Sequence, residues 1–289
     1  MKILVTGGSG FLGSHVADHL SKVGHKVTIY DKKKSPWLRG DQTMIIGDML
    51  DAKKLKKAIS KSEVVYHFAA LADINEAIQK PIDTASINIL GTVLALQFSS
   101  KYKIKRFVHA SSIYVNSKEG GFYRCSKKAA EDYVEEFNNL HGVNFTILRF
   151  GSLYGERSNN TNGVHSIVNR AIKNRELIYS GSEKTLREYI NVKDAAKASV
   201  NILKNKYKNK HIILTGKEKI RVYDLLKMLG EILKISKNVK FLNKKYIGHY
   251  TVSPFTYTPK PGKKFIFSSN IEFRKGLLDL VKSIKKEKK

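Results

Sequence analysis

Cysteine is almost absent: Cys125 is the only one in 289 residues. A single thiol cannot form an intrachain disulfide or build a cysteine metal site. Such sparing use fits a reducing, cytoplasmic setting, and no metal is expected. Acidic residues are scarce, 25 against 53 lysines and arginines, which leaves a net charge of +28. A positive field attracts nucleic acid, acidic membrane or phosphorylated small molecules. The lysines are scattered among Asn and Ile, and no aromatic-basic RNA motif stands out. The charge therefore reads as compositional bias, and Ser283 to Lys289 as a solvated end. A nucleic-acid partner is disfavoured, although the charge keeps it open. No stretch approaches the roughly 20 apolar residues of a membrane span. No signal peptide is visible, because the first apolar run, Ile3-Leu4-Val5, is short and leads straight into a glycine-rich turn.

That turn organises the chain. Gly7, Gly10 and Gly13 form G-x-x-G-x-x-G between a short apolar run and a helix-like run from Phe11 to Val23. Gly7 permits a tight strand-to-helix turn, Gly10 lets a pyrophosphate approach the backbone, and Gly13 lets the helix pack close to the strand. The unpaired N–H groups at the helix start, around Phe11 and Leu12, favour phosphate. Glycine-rich turns also occur as plain connectors, so the strand–turn–helix context carries the reading. Asp31 ends a second strand 18 residues after Gly13. This is near the spacing of about 20 at which an acid hydrogen-bonds an adenosine ribose. A carboxylate there repels the 2′-phosphate of NADP, so NAD is expected as cofactor. Lys32, Lys33 and Lys34 keep NADP as the lesser alternative.

Further along, the pattern predicts strands at 44–46, 63–68, 106–110 and 144–149, and helices at 55–59, 82–102 and 122–140. Strands alternating with helices imply an α/β fold, a Rossmann-type doubly wound parallel sheet, with ligands at the carboxyl ends of its strands. Residues 1–150 read as the cofactor-binding domain. Residues 151–289 read mainly as a smaller substrate-binding lobe, with some segments returning to the first domain. In that half the pattern predicts helices at 164–173, 193–203 and 222–233, extended chain at 177–180, a strand at 212–214 and a loop over 251–262. No repeat and no low-complexity linker is present.

Tyr123 and Lys127 lie at i and i+4, on one helix face. Tyrosine is a poor base at its ordinary pKa near 10. A lysine ammonium and an oxidised nicotinamide nearby would favour tyrosinate. Tyr123 could then accept a proton from a substrate hydroxyl while hydride leaves the same carbon. Ser112, at the end of the preceding strand, could hydrogen-bond the same oxygen.

At this point the chain resembles the extended short-chain dehydrogenase/reductases, and among them the NAD-dependent epimerase/dehydratase family acting on nucleotide sugars. The resemblance covers roughly residues 1–205. It rests on Thr6 to Gly13, Asp31, Gly47-Asp48-Met49, His67 to Ala70, Asn88 to Thr92, Ser111-Ser112, Tyr123 with Lys127, Leu148 to Gly155, and Arg187 to Asp194. It implies that Asp48 and Met49 flank the adenine and that Ala69, Ala70, Leu71, Asn88 and Ser111 line the cofactor path. Tyr123 and Lys127 would also touch the cofactor, Lys127 through the nicotinamide ribose. Arg187 would clamp the substrate pyrophosphate, Ser152 would contact substrate, and Tyr179 would border the nucleotide base or pack in the core.

Departures from the family pattern are visible. Val115-Asn116-Ser117 replaces the usual Val-Tyr-Gly, and only ten residues separate Ser112 from Tyr123. Sugar 4,6-dehydratases carry an Asp-Glu pair where Ile113-Tyr114 stands, so water elimination lacks its acid and base. The expected activity is that of a nucleotide-sugar epimerase, at C4, with Tyr123 as acid and base. A nucleotide-sugar ketoreductase using NAD(P)H shares the same residues. A non-catalytic RNA-binding or redox-sensing relative is the rival of another class. The resemblance also implies a homodimer through the helices near 82–102 and 122–140.

Overall fold

Period-2 apolar runs place successive side chains on opposite faces of a strand, and this alternation builds the centre of the molecule. The computed structural model describes residues 1–235, 239–243, 248–251 and 255. The chain runs β1 (Lys2–Thr6), α1 (Phe11–Lys22), β2 (Lys26–Asp31), β3 (Gln42–Ile46), α2 (Ala52–Ile59), β4 (Val64–His67), α3 (Ile74–Gln79), α4 (Pro81–Ala85) and α5 (Gly91–Lys101). It continues through β5 (Arg106–Ser112), α6 (Gly121–His141), β6 (Phe145–Phe150), β7 (Ser152–Tyr154), α7 (Gly163–Asn174), β8 (Leu177–Tyr179) and β9 (Leu186–Asn191). The last described elements are α8 (Val192–Asn201), β10 (Lys210–Leu214), β11 (Lys219–Arg221), α9 (Val222–Leu233) and β12 (Val239–Phe241).

Seven of these strands form one parallel sheet in the order β10-β6-β5-β4-β1-β2-β3. Ile3 and Val5 face a layer formed by Val16, Ala17 and Leu20 of α1 and Ala195, Ala196 and Val200 of α8. Leu4, between them, faces Leu55 and Ile59 of α2, Leu96 of α5 and Val134 of α6. Leu4, Leu20, Leu55 and Leu96 are fully buried, which stabilises by roughly 1.5–3 kcal/mol per side chain. A third cluster joins Ala171 of α7, Leu177 of β8, and Val222 and Leu226 of α9. Two small sheets, β11-β9-β7 and β12-β8, accompany it.

The order of the large sheet reverses between β1 and β4, with β2 and β3 to one side and β5, β6 and β10 to the other. Loops leaving β1 and β4 must separate there, which opens a crevice at their carboxyl ends. The expected strand at 212–214 is the end of β10, which returns to this sheet beside β6. Buried Glu131 of α6 holds that edge. It accepts from Arg149 of β6 at 2.6 and 3.0 Å, and His211 of β10 lies 2.7 Å from Glu135.

Some expectations need correction. The helix expected over 82–102 runs from Pro81 to Lys101, with a π turn at Ser86–Leu90 joining α4 to α5. Helix α3 and the short strands β7, β9, β11 and β12 were not anticipated, since three to six residues show too little periodicity. By length and composition alone, Pro81–Lys101 is apolar enough to cross a membrane, contrary to the sequence reading. Its Ala95, Leu96 and Ser99 are nevertheless buried in this fold. The expected loop at 251–262 lies outside the described residues except for Thr251 and Phe255. The tail from Ser283 lies outside them entirely.

The π turn coincides with a directional chain of buried hydrogen bonds. Thr92 Oγ1 donates to Asn88 O at 2.6 Å, so its oxygen accepts from His67 Nε2, 2.9 Å away. His67 therefore carries its proton on Nε2, and Nδ1 accepts from Thr6 Oγ1 at 3.0 Å. The Asn88 amide was expected on the cofactor path. It instead turns to the loop after β4, accepting from Leu71 N at 2.7 Å and donating to Leu71 O at 3.0 Å and Ser126 Oγ at 2.9 Å. The carboxyl ends of β1 and β4 are thus bonded to the helix that carries Tyr123.

Removing Asn88 leaves the Leu71 N–H and C=O unpaired inside the protein. Asn88→Ala is expected to cost about 2–3 kcal/mol of stability, measured by urea unfolding. Burial, helped by the Lys127 charge, pushes the His67 pKa down to about 3, and burial also holds His109 well below the usual imidazole range. An unfolded imidazole takes up its proton near pH 6.5. Between that pH and about 3 the unfolded chain binds more protons, so stability rises with pH and is lost on acidification. His67 alone is expected to cost about 2 kcal/mol between pH 7 and pH 5, and urea midpoints at the two pH values test this.

Candidate active site

The glycines of the first turn meet space that no side chain could share. Gly7 has φ +71°, and a Cβ there would lie 2.6 Å from Ala69 N on the neighbouring loop. A Cβ on Gly13 would lie 2.2 Å from Gly7 O. Helix α1 therefore begins directly above the strand end. Its N-cap is Gly10, with no side chain bonded to the first turn. The N–H groups of that turn are left to a ligand, and their partial positive charge favours an anion.

This turn is one wall of a cleft of about 920 Å³ across the carboxyl ends of the parallel strands. Gly7, Gly10, Phe11, Leu12, Gly13, Asp31, Asp48, Met49, Ala69, Ala70, Leu71 and Ser111 all line it. Ser112, Tyr123, Lys127, Ser152, Tyr179 and Arg187 do so as well. Asn88, 2% exposed, is absent from the wall and braces the Leu71 loop from behind. At one end, Asp31 accepts from Ser9 N at 3.0 Å and from Lys33 N at 3.1 Å. A carboxylate has about four acceptor positions, so it can still take a ribose hydroxyl. Asp48 is held by Tyr30 Oη, which donates to its carbonyl at 2.7 Å. A glycine cradle, an acid at a ribose's distance along the fold and a long cleft fit a dinucleotide.

Strand β5 and helix α6 deliver the reactive groups. Ser112 is the last residue of β5; its Oγ accepts from Tyr114 N at 3.3 Å and lies near enough to the Tyr123 phenol to favour the phenolate. One turn along α6, Lys127 is buried and its Nζ donates to Ala110 O at 2.9 Å, 5.9 Å from the centre of the Tyr123 ring. Burial pushes the Lys127 pKa down to about 8, with Glu131 opposing. Burial also holds the Tyr123 phenol above its ordinary value, and the Ser112 contact pulls it the other way. Within the protein alone, burial outweighs the Ser112 contact at this phenol.

The remaining wall is aromatic and was largely missed in the sequence. Tyr114 Oη and His249 Nδ1 are 3.2 Å apart. The Tyr114 ring lies 4.9 Å from that of Tyr250 and 6.5 Å from that of Tyr123. The Arg187 guanidinium stacks 4.1 Å from the centre of the Tyr250 ring. Thr251 O accepts from Leu186 N at 2.9 Å, which ties the 248–251 segment to β9. Tyr114 had shown in the sequence only as a missing carboxylate, and no spacing pointed to His249 or Tyr250.

Comparison with known proteins agrees with this geometry. Residues 3–216 match the profile of the NAD dependent epimerase/dehydratase family. A Methanocaldococcus jannaschii protein, provisionally named UDP-glucose 4-epimerase, is 32% identical over 78% of this chain and 81% of its own length. The UDP-N-acetyl-alpha-D-glucosaminuronate decarboxylase of Bacillus cytotoxicus is 30% identical over 75% of each chain. Among solved structures, the UDP-glucose 4-epimerase of Thermotoga maritima with UDP-glucose superposes with a TM-score of 0.81 at 27% identity, covering 89% of this chain and 90% of that one. Fold, cleft and sequence agree: the chain belongs to the NAD dependent epimerase/dehydratase family.

Proposed function

We propose that this chain is an NAD-dependent nucleotide-sugar epimerase acting at C4. The observation that carries the reading is the convergence of Ser112, Tyr123 and Lys127 in the cleft that begins at the glycine turn. Gly7, Gly10, Phe11, Leu12 and Gly13 hold the cofactor pyrophosphate, Asp31 the adenosine ribose, and Asp48 and Met49 the adenine. Ala69, Ala70, Leu71 and Ser111 line its path, and Lys127 reaches the nicotinamide ribose. Asn88 acts indirectly, by fixing the Leu71 loop. Ser152, Tyr179 and Arg187 face the substrate, and the Arg187 fork suits phosphate oxygens.

Tyr123 takes the proton from the sugar hydroxyl and later returns it, while Ser112 holds the same oxygen. Lys127, fixed to Ala110 O, keeps a positive charge near the phenolate. A nicotinamide held beside Tyr123 and Lys127 would supply reversible hydride acceptance at the reacting carbon, with inversion on return of the hydride to the opposite face. A ketoreductase would use the same three residues with NAD(P)H consumed. Dehydration is disfavoured, because Ile113 and Tyr114 supply no carboxyl pair.

Residues 1–150 serve as the cofactor domain and 151–289 mainly as the substrate lobe, with α8 and β10 returning to the large sheet. A homodimer through the α4–α5 and α6 surfaces fits their exposed Ile82, Leu90 and Leu140. A cytoplasmic setting fits the single cysteine.

Denaturing the purified protein is expected to release close to one NAD per chain, identified by chromatography. An empty protein that oxidises NADPH in the presence of a keto sugar nucleotide would favour the reductase. Tyr123→Phe is expected to lower kcat for interconversion of UDP-glucose and UDP-galactose by at least about 100-fold, followed by NMR. Unchanged turnover in that variant would remove Tyr123 from the mechanism.

A further inference from the structure

Lysines that are scattered along the sequence are sorted by the fold. In a parallel sheet every strand points the same way, so one end of the layer collects the carboxyl ends and the other the amino ends. The carboxyl end holds the cleft, which Asp31, Asp48, Asp73, Glu76 and Asp83 line. The amino end carries the reverse charge. Backbone hydrogen bonds tie its strand entries into a row: Lys26 N donates to Met1 O at 3.0 Å, Glu63 N to Lys2 O at 2.8 Å, and Lys105 N to Glu63 O at 2.8 Å. Lys2 and Lys26 stand side by side in the register of β1 and β2. Like charges so placed destabilise a sheet.

Lys61 and Lys103 lie in the turns that lead into β4 and β5, and Lys208 and Lys210 at the entry to β10. All six of these lysines are exposed, and none is ion-paired with an acid among the described residues. The acids at this end are already engaged. Glu63 accepts from Lys105 Nζ at 2.6 Å and from Lys2 N at 2.8 Å, Asp41 holds Arg39 at 2.8 Å, and Glu135 lies 2.7 Å from His211. Met1 and Val23, 44% and 50% exposed, add aliphatic surface among the lysines. The tyrosines of these turns are poorly placed for stacking. Tyr102 and Tyr207 are half-buried, and Lys206 Nζ lies 5.0 Å from the centre of the Tyr207 ring.

From this gathering of unpaired lysines at the amino end of the parallel sheet, we infer that the protein docks by that face on an anionic lipid surface, with its cleft turned to the water. Peripheral binding grows with attraction to anionic headgroups and with apolar area buried, and this face supplies both. Lysine is a point charge on a flexible stem, so a row of lysines can meet headgroup phosphates that have no fixed positions. Single-stranded nucleic acid asks for exposed rings on which its bases stack, and the described residues of this face offer none. The inference stands apart from the epimerase reading, because none of the six lysines lines the cleft.

Co-sedimentation of the full chain with phosphatidylcholine vesicles, with and without phosphatidylglycerol, tests this. Binding to the anionic vesicles is expected to be at least about 10-fold tighter at about 0.1 M salt, with the difference lost at about 0.5 M. Lys26→Glu, Lys103→Glu and Lys208→Glu together are expected to weaken that binding at least about 10-fold. Lys217→Glu, Lys219→Glu and Lys227→Glu together change the net charge equally, at exposed sites beside β11 and on α9. They are expected to leave vesicle binding within about twofold. All six positions are exposed, so both variants are expected to keep the melting curve of the parent protein. Equal binding to neutral and anionic vesicles, or equal losses in the two variants, would overturn the inference. Tight binding of a duplex RNA that anionic vesicles cannot displace, and that the first variant alone loses, would also overturn it and give the face to nucleic acid.

Discussion

Everything at the site depends on how closely three backbone segments approach at the end of β1. The Gly7 turn, the Ala69 loop and the start of α1 meet with less than a methyl group to spare. Only that approach brings the free N–H groups of α1 over the crevice where the sheet order reverses. A side chain at Gly7 or Gly13 would push loop or helix away and widen the cleft at its narrowest point. The polar chain from Thr6 through His67 and Thr92 to Asn88 and Ser126 secures the same junction. Each donor in that chain has an acceptor, which is what makes a buried polar network stabilising.

The reactive end follows a different logic. Lys127 is buried and Tyr123 half-buried in the cleft wall, and burial disfavours the ammonium as well as the phenolate. Each group then depends on charge in its immediate surroundings. Glu131 favours the charged form of Lys127, and Glu131 is itself clamped by Arg149. An acid on the protein-core side of α6 thus helps to set the electrostatics of its cleft side. In a chain with few carboxylates, their placement carries more weight than their number.

Much of this was legible in the sequence. The glycine spacing, Asp31 and the Tyr123/Lys127 pair each express a local geometric requirement, and local requirements leave patterns at fixed offsets. The parallel sheet was readable because its strands are buried on both faces and appear as short apolar runs. The π turn at Ser86–Leu90 was not readable: its apolar spacing looks helical, and the polar contacts at Asn88 come from residues 17 and 38 positions away. Tyr114, His249 and Tyr250 were missed for the same reason. The hydrogen-bonded pair among them is separated by 135 residues, and no pattern within one segment can announce such a contact.

The place of β10 at the edge of the large sheet has a consequence for synthesis. Strand β6 pairs with β5 on one side and with β10 on the other. During translation β10 leaves the ribosome only after roughly three quarters of the chain has been made, since it ends at Leu214 of 289 residues. Until then β6 presents an open row of backbone donors and acceptors, a ready template for another strand. The nascent cofactor half can form its crevice early, yet it must wait for a distant segment to seal its flank. That interval is when a growing chain is most exposed to pairing with the wrong neighbour.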